Sequence, residues 1–432
     1  MSKICIVTLG CPKNVVESEN IAGMLESKGH TLSADPNDCE CALVHTCSFI
    51  EDAKKESELF IDALLTLKKR RKIGKVFVSG CMVQSEGKKL ISRFPDADGF
   101  VGTGELDKIP EVIGMGNGFL RKKPGGLLES PFPRIVAVKS ASAYLRIAEG
   151  CNHRCGFCSI PSIRGRYKSR KIENIFEETE GMAAAGIREV VLVAQDTTSY
   201  GKDIYGCYAL PKLIERLSNI SKIEWIRILY GYPLSMTNDL ISCFRKFPKL
   251  CRYIDLPLQH ISERVLRNMG RPGGARKTVE RIKKVIPDIA IRSSVIAGFP
   301  GETKKDFEEL LSFVKDGWFD HLGVFEYSDN PETKSFAQRG KIGRLEKKFR
   351  KNRLMEAQKA AVKEKNRRKL NTVQKILVEK KGEGNRFEGR ASFQAPEVDS
   401  KIIFEANGVR TNFVNVLITG YKGYDLTGKT IF

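Results

Sequence analysis

Short apolar runs alternate with helical patterns over roughly the first 110 residues. Residues 3–9, 41–46 and 75–79 read as strands, and residues 14–28 as a helix closed by Gly29. This βα rhythm predicts a parallel sheet covered by helices. Residues 114–133 hold many Gly and Pro and no periodicity, which predicts a linker. A second alternation comes next, with strands expected at 144–149, 189–195, 225–230, 253–258, 289–297 and 321–328. Helical patterns separate them, among them 172–185, 210–218 and 304–315. Six βα units suit a partial (β/α)6 TIM-like barrel, whose chemistry gathers at the C-terminal ends of its strands. Residues 334–370 read as helical from Arg344 onward, with Leu345, Phe349 and Leu354 as buried anchors. The last region is β-rich, with short strands expected at 373–379, 387–391, 401–405 and 413–419, the pattern of a small β-barrel. The fold expected is therefore α/β in four parts: a parallel-sheet domain (1–113), a linker (114–136), the barrel with its basic helix (137–370) and the small β-barrel (371–432).

Length agrees, since 432 residues exceed one ordinary core and point to about two to four domains. With 41% hydrophobic and 8% aromatic residues, a disordered chain is excluded. The net charge of +21 points to an anionic partner or a ribosomal setting. More than half of it sits in 334–370, where fifteen Lys and Arg face three Glu, a net +12. That segment reads either as a solvated connecting helix or as a nucleic-acid-facing surface. The N-terminal residues lack the apolar stretch and cleavage site of a signal peptide, and no apolar run approaches the roughly 20 residues that span a bilayer. A cytoplasmic protein with reduced thiols is expected, in which clustered cysteines mean metal before disulfide.

Twelve cysteines are present, and six stand in contexts that suggest chemistry. Cys151, Cys155 and Cys158 form a Cys-x3-Cys-x2-Cys loop just after a predicted strand. Structural zinc wants four ligands, as does an iron–sulfur cluster held wholly by protein. Three thiolates on one loop leave an iron open to an exogenous ligand; the competing reading is a zinc knuckle completed by His153. Cys11, Cys47 and Cys81 share no spacing, but each stands just beyond a predicted strand. In a parallel sheet such positions converge. They read either as a second three-thiolate cluster site or as buried free cysteines, the reading that suits Cys5, Cys39, Cys41, Cys207, Cys243 and Cys251. Two barrel loops, around Gln195-Asp196 and around Gly298, Gly301 and Glu302, offer backbone approach and polar groups for a ligand. His260, in Asp255-Leu-Pro-Leu-Gln-His260, reads as a proton-transfer group or a structural histidine.

Over essentially its whole length the chain resembles the methylthiotransferases of the radical-SAM superfamily, whose members join an N-terminal three-cysteine domain, a radical-SAM barrel and a C-terminal TRAM domain. The resemblance implies that Cys11, Cys47 and Cys81 hold an auxiliary four-iron cluster. It implies that Cys151, Cys155 and Cys158 hold the cluster that binds S-adenosylmethionine (SAM), with Gln195, Asp196, Gly298, Gly301 and Glu302 in the SAM pocket. The motifs Gly10-Cys11-Pro12-Lys13-Asn14, 144–151, 255–260, 323–328 and 393–399 are similar to the subgroup that modifies an aspartate of a ribosomal protein; Ser400, where glycine is usual, and the loops at 206–208 and 269–274 depart from it. The resemblance thus implies an enzyme with two 4Fe–4S clusters and two SAM per turnover. It would take an electron from a reductant and place a methylthio group on the β-carbon of an aspartate in the small-subunit protein S-twelve; a basic enzyme acting on a basic protein would need ribosomal RNA nearby or acidic local contacts. The alternative is a tRNA methylthiotransferase. Against that alternative, residues 371–432 carry nine Lys/Arg and seven Asp/Glu, a weak charge for an RNA grip.

Overall fold

A computed structural model describes residues 1–124, 134–136, 141–409 and 411–431. The N-terminal sheet holds β1 (Lys3–Thr8), β2 (Thr31–Ser33), β3 (Cys41–Thr46), β4 (Lys75–Gly80), β5 (Gly99–Gly102) and β6 (Gly118–Leu120). All are parallel, in the order β2-β1-β3-β4-β5-β6. Both faces are covered, so β3 is buried at every position and its sequence is nearly unbroken apolar. The segment expected to be linker from residue 114 carries β6, which pairs with β5. The rest of that expected linker, 125–133, lies outside the described residues.

The second sheet begins with β7 (Ser142–Arg146), after which the short antiparallel pair β8 (Ala148–Glu149) and β9 (Lys168–Ser169) brackets the Cys151 loop. It continues with β10 (Glu189–Val193), β11 (Trp225–Ile228), β12 (Leu250–Asp255), β13 (Ala290–Ala297) and β14 (His321–Glu326). These six long strands are parallel and curve as an open sheet in the order β14-β13-β12-β11-β10-β7. Val190, Leu192, Ile226, Ile228, Ile254 and Ile291 face the helices and build the largest core. The alternate positions Tyr144, Val191, Val193, Leu229 and Tyr253 face inward, where Val16 of the first helix (Pro12–Ser27) and Leu377 and Ala395 of the C-terminal domain fill the interior.

The C-terminal domain is a closed barrel of β15 (Val373–Lys381), β16 (Arg386–Ala391), β17 (Ile402–Glu405), β18 (Phe413–Lys422) and β19 (Asp425–Thr430), ordered β15-β16-β17-β19-β18. The polar β19 gave no alternating apolar signal, yet it closes the barrel. The basic helix runs Arg344–Lys369, with Arg350, Leu354, Gln358, Val362 and Asn366 buried at every fourth position. Of the three expected anchors only Leu354 is buried; Leu345 and Phe349 are 84% and 51% exposed, so the buried stripe lies one face away. Among the described residues no helix is long and apolar enough to cross a membrane.

Candidate radical site between two cysteine trios

The first trio is assembled by sheet order. Strands β1, β3 and β4 are adjacent, so their C-terminal ends stand side by side about 4.8 Å apart. Cys11 follows β1 as the cap of the first helix, Cys47 follows β3, and Cys81 follows β4 and opens helix Cys81–Glu86. Gly10 has φ +98°, and a Cβ there would lie 2.5 Å from Cys47 Cβ, so glycine is what lets the Cys11 and Cys47 turns approach. Asn14 Nδ2 donates to Leu9 O (2.7 Å) and Thr46 O (3.1 Å), locking the two turns together. Burial pushes the Cys47 thiol up, and it pushes Cys81 up to about 12 although the Arg164 guanidinium opposes it.

The second trio lies on the loop between β8 and β9. Gly150, at φ +79°, precedes Cys151, and a Cβ on it would meet Arg166 O at 2.2 Å. The loop is pinned by Cys151 N to Gly165 O (3.1 Å), Gly156 N to Met269 O (2.7 Å) and Ser335 N to Gly156 O (2.8 Å). The His153 and Ile160 amides approach the Cys151 and Cys158 sulfurs at 3.4 and 3.5 Å, the kind of contact that tunes a cluster. Burial raises Cys151 to about 11 and Cys158 to about 12. A metal binds cysteine as the thiolate, so any loading of these thiols would release protons.

Each trio is all cysteine, the donor type of thiolate-held iron–sulfur clusters, and the histidine that could complete a zinc knuckle is engaged. His153 gives its Nε2 to Asp196 Oδ2 (2.7 Å) and stacks on Tyr232 with ring centroids 3.7 Å apart. Among the described residues no three His, Cys, Asp or Glu side chains converge as ligands of a single metal ion.

A buried ionic chain, invisible in the sequence, joins the trios. Arg164 Nη2 donates to Cys81 Sγ (2.9 Å) and Asn14 Oδ1 (2.9 Å). Its Nη1 reaches Glu17 and, at 3.4 Å, Glu149 Oε1. Arg146 Nη1 also spans Glu17 (3.0 Å) and Glu149 (3.3 Å), and His45 Nε2 meets the other Glu17 oxygen at 2.9 Å. Although burial works against it, the Arg164 guanidinium, the hydrogen bond to His45 and the Arg146 guanidinium hold the Glu17 carboxyl far below the usual range. Glu149 stands two residues before Cys151, so the network spans from one trio to the other.

Of the residues expected near SAM, Gln195 and Asp196 flank the Cys151 loop. Gln195 Nε2 donates to Glu149 Oε1 (2.6 Å), leaving its buried Oε1 unpartnered, and Asp196 holds His153. The other three lie on the turn after β13, whose Phe299 packs edge-on against Phe157 of the cysteine loop with ring centroids 6.5 Å apart. Glu302 Oε2 accepts from Gly298 N (2.6 Å) and Phe299 N (3.1 Å), and Oε1 accepts from Arg350 (2.9 Å). With both oxygens engaged, Glu302 ties this turn to the basic helix. Gly298 faces Lys347, and Gly301 N bonds Gly340 O at 2.8 Å. His260 is fully buried, accepts from Ser262 N (2.9 Å) and is pushed by burial down to about 4, a neutral structural histidine. Cys207 is exposed, contrary to the expectation of burial, while Cys5, Cys39, Cys41, Cys243 and Cys251 are buried.

An open parallel βα sheet with a three-cysteine loop after its first strand defines the radical-SAM class, and the Radical SAM superfamily model matches residues 145–314. The model of uncharacterized protein family UPF0004 matches residues 3–102, and that of the TRAM domain matches 372–431. The chain is 44% identical to the ribosomal protein uS12 methylthiotransferase RimO of Endomicrobium trichonymphae, over 99% of this chain and 98% of that protein. It is 40% identical to the protein of the same name from Pelotomaculum thermopropionicum, over 99% of each. The chain belongs to the RimO family of methylthiotransferases. Among solved structures, the radical S-adenosylmethionine methyltransferase TsrM from Kitasatospora setae shares the fold, with a TM-score of 0.59 and 15% identity over 78% of this chain and 77% of that one.

Proposed function

We propose that this protein attaches a methylthio group to the β-carbon of an aspartate in ribosomal protein uS12, in the cytoplasm and in a ribosomal RNA setting. The observation that carries this reading is the pair of cysteine trios, each at the C-terminal edge of its own parallel sheet and joined by one buried charge network. Full-length identity to proteins named for uS12 supports the substrate.

Cys151, Cys155 and Cys158 would hold one 4Fe–4S cluster, and Cys11, Cys47 and Cys81 a second. When bound, the clusters supply reductive cleavage of SAM, with an electron from a low-potential donor, and a mount for the sulfur to be transferred; two SAM serve each turnover. The chain's own residues hold position. Gly10 and Gly150 let the cysteine turns close. Arg164, Glu17, Arg146 and Glu149 fix the distance between the trios, the proximity that two cofactors acting on one carbon require. Val16, Leu377 and Ala395 fill the barrel interior beneath the site and exclude water.

The test is to delete the gene and examine uS12 and tRNA by mass spectrometry. Loss of the methylthio group from the uS12 aspartate, restored by the wild-type gene, is expected. An unmodified aspartate in the parent strain, with methylthio-nucleosides lost in the mutant, would overturn the reading in favour of tRNA.

A further inference from the structure

Lys13 is 8% exposed and makes no hydrogen bond or ion pair among the described residues. Its ammonium lies 3.5 Å from the centroid of the Tyr230 ring, which carries it across from the N-terminal domain to the end of β11. A buried lysine is ordinarily paired. Lys13 also stands in the first turn of a helix, where the dipole disfavours a cation. Arg164 touches Cys81, and Arg164 and Lys13 both act on the Cys47 thiol at longer range, but among the described residues Lys13 donates a hydrogen bond to no sulfur.

Tyr230 is built to receive it. Its φ of +60° is rare for a bulky side chain and is held from behind. Asp255 Oδ2 accepts from Tyr230 N (3.1 Å), Arg292 pairs with Asp255 (3.4 Å), and Asp399 of the C-terminal domain pairs with Arg292 (3.2 Å). Arg292 is thus the cation paired with Asp255, while Lys13 acts on that carboxylate only at longer range and, among the described residues, holds no carboxylate at ion-pair distance.

We propose that Lys13 is the substrate anchor, whose ammonium takes the side-chain carboxylate of the target aspartate and selects aspartate over asparagine. This rests on the uS12 reading. The carbon to be modified is next to that carboxylate, so an anchor two residues from Cys11 brings it beside the first trio. The ring of Tyr230 then closes the other side of the ammonium, as a cation–π partner that does not compete for the carboxylate.

The test uses the reconstituted full-length enzyme with two forms of uS12, one with the target aspartate and one with asparagine in its place. Wild type is expected to prefer the aspartate form by about tenfold in Kd and in KM, the scale of one hydrogen bond to a charged group. Lys13→Met is expected to remove that preference with iron content and cluster EPR unchanged, and Lys13→Arg to keep part of it. Equal affinity of wild type for the two forms overturns the anchor without recourse to any variant. So does a Lys13→Met enzyme that keeps the preference, or that changes the iron content or EPR, which would assign the cation to the cluster. If wild type neither binds nor modifies either form, the uS12 reading fails and the anchor falls with it.

Discussion

The residue that does most to couple the two trios is Arg164. It is 3% exposed, and one guanidinium serves Cys81, Asn14, Glu17 and Glu149. Removing one member of a buried ion network leaves its partners desolvated and unpaired, at a cost of about 3–5 kcal/mol. Since Arg146 still faces both carboxylates, Arg164→Met should fall near the lower end, read as a lower denaturation midpoint of the apoprotein. In the loaded protein the variant should lower the reduction potential of the Cys11/Cys47/Cys81 cluster, because a cation beside a thiolate favours the reduced state. The Cys151/Cys155/Cys158 cluster should keep its potential; redox titration monitored by EPR separates the two. An unchanged pair of potentials would deny Arg164 its place beside Cys81.

At the scale of elements, the strands that were readable are apolar runs bounded by Gly or a polar turn, and β3 lies where the pattern put it, whereas β2, β6 and β19 are too short or too polar to show. Cys11, Cys47 and Cys81 could be placed together for the same reason, since the ends of β1, β3 and β4 stand side by side in a parallel sheet, whereas Cys151, Cys155 and Cys158 showed in their spacing alone. The basic helix was harder. Its composition is so polar that Leu345 and Phe349 stood out as anchors, but the face that packs contains Arg350, Gln358 and Asn366. Arg350 is buried because Glu302 pairs with it, a contact 48 residues away that no local pattern carries. Leu354→Ala should therefore cost about 2–5 kcal/mol, the range for a truncated core leucine. Leu345→Ala, at an exposed site, should stay within about 0.5 kcal/mol of wild type. Thermal melts of the two variants check this; equal losses would place the buried stripe wrongly.

At the scale of the molecule, the domains are held by buried charges whose partners are far apart in sequence, and that is why they were illegible. Glu189 at the start of β10 takes Arg227 (2.8 Å) from β11 and Arg390 (2.6 Å) from β16 of the C-terminal barrel. Burial would raise its carboxyl, but Arg390 and Arg227 outweigh burial and hold it at about 2. A carboxyl depressed in the folded state stabilises above its unfolded value, about 4.3, and loses that contribution as pH falls toward 2. Docking of the C-terminal barrel should thus weaken below about pH 4. Trp225 packs edge-on against Phe413 of that barrel, with ring centroids 4.8 Å apart, and with Trp318 replaced by Phe it alone reports the contact. Its emission should shift through this acid window in wild type. In Glu189→Gln the contact should already be weakened at pH 7 and the acid shift diminished; an identical titration would remove Glu189 from the docking.

The two-trio architecture is tested most directly by iron and acid-labile sulfide content after anaerobic reconstitution. The wild-type chain should bind about eight irons. A variant with Cys11, Cys47 and Cys81 changed to Ala should bind about four and still cleave SAM, and one with Cys151, Cys155 and Cys158 changed to Ala should bind about four and cleave none. About four irons in wild type, unaffected by loss of Cys11, Cys47 and Cys81, would contradict the second cluster and with it the route by which sulfur reaches the substrate.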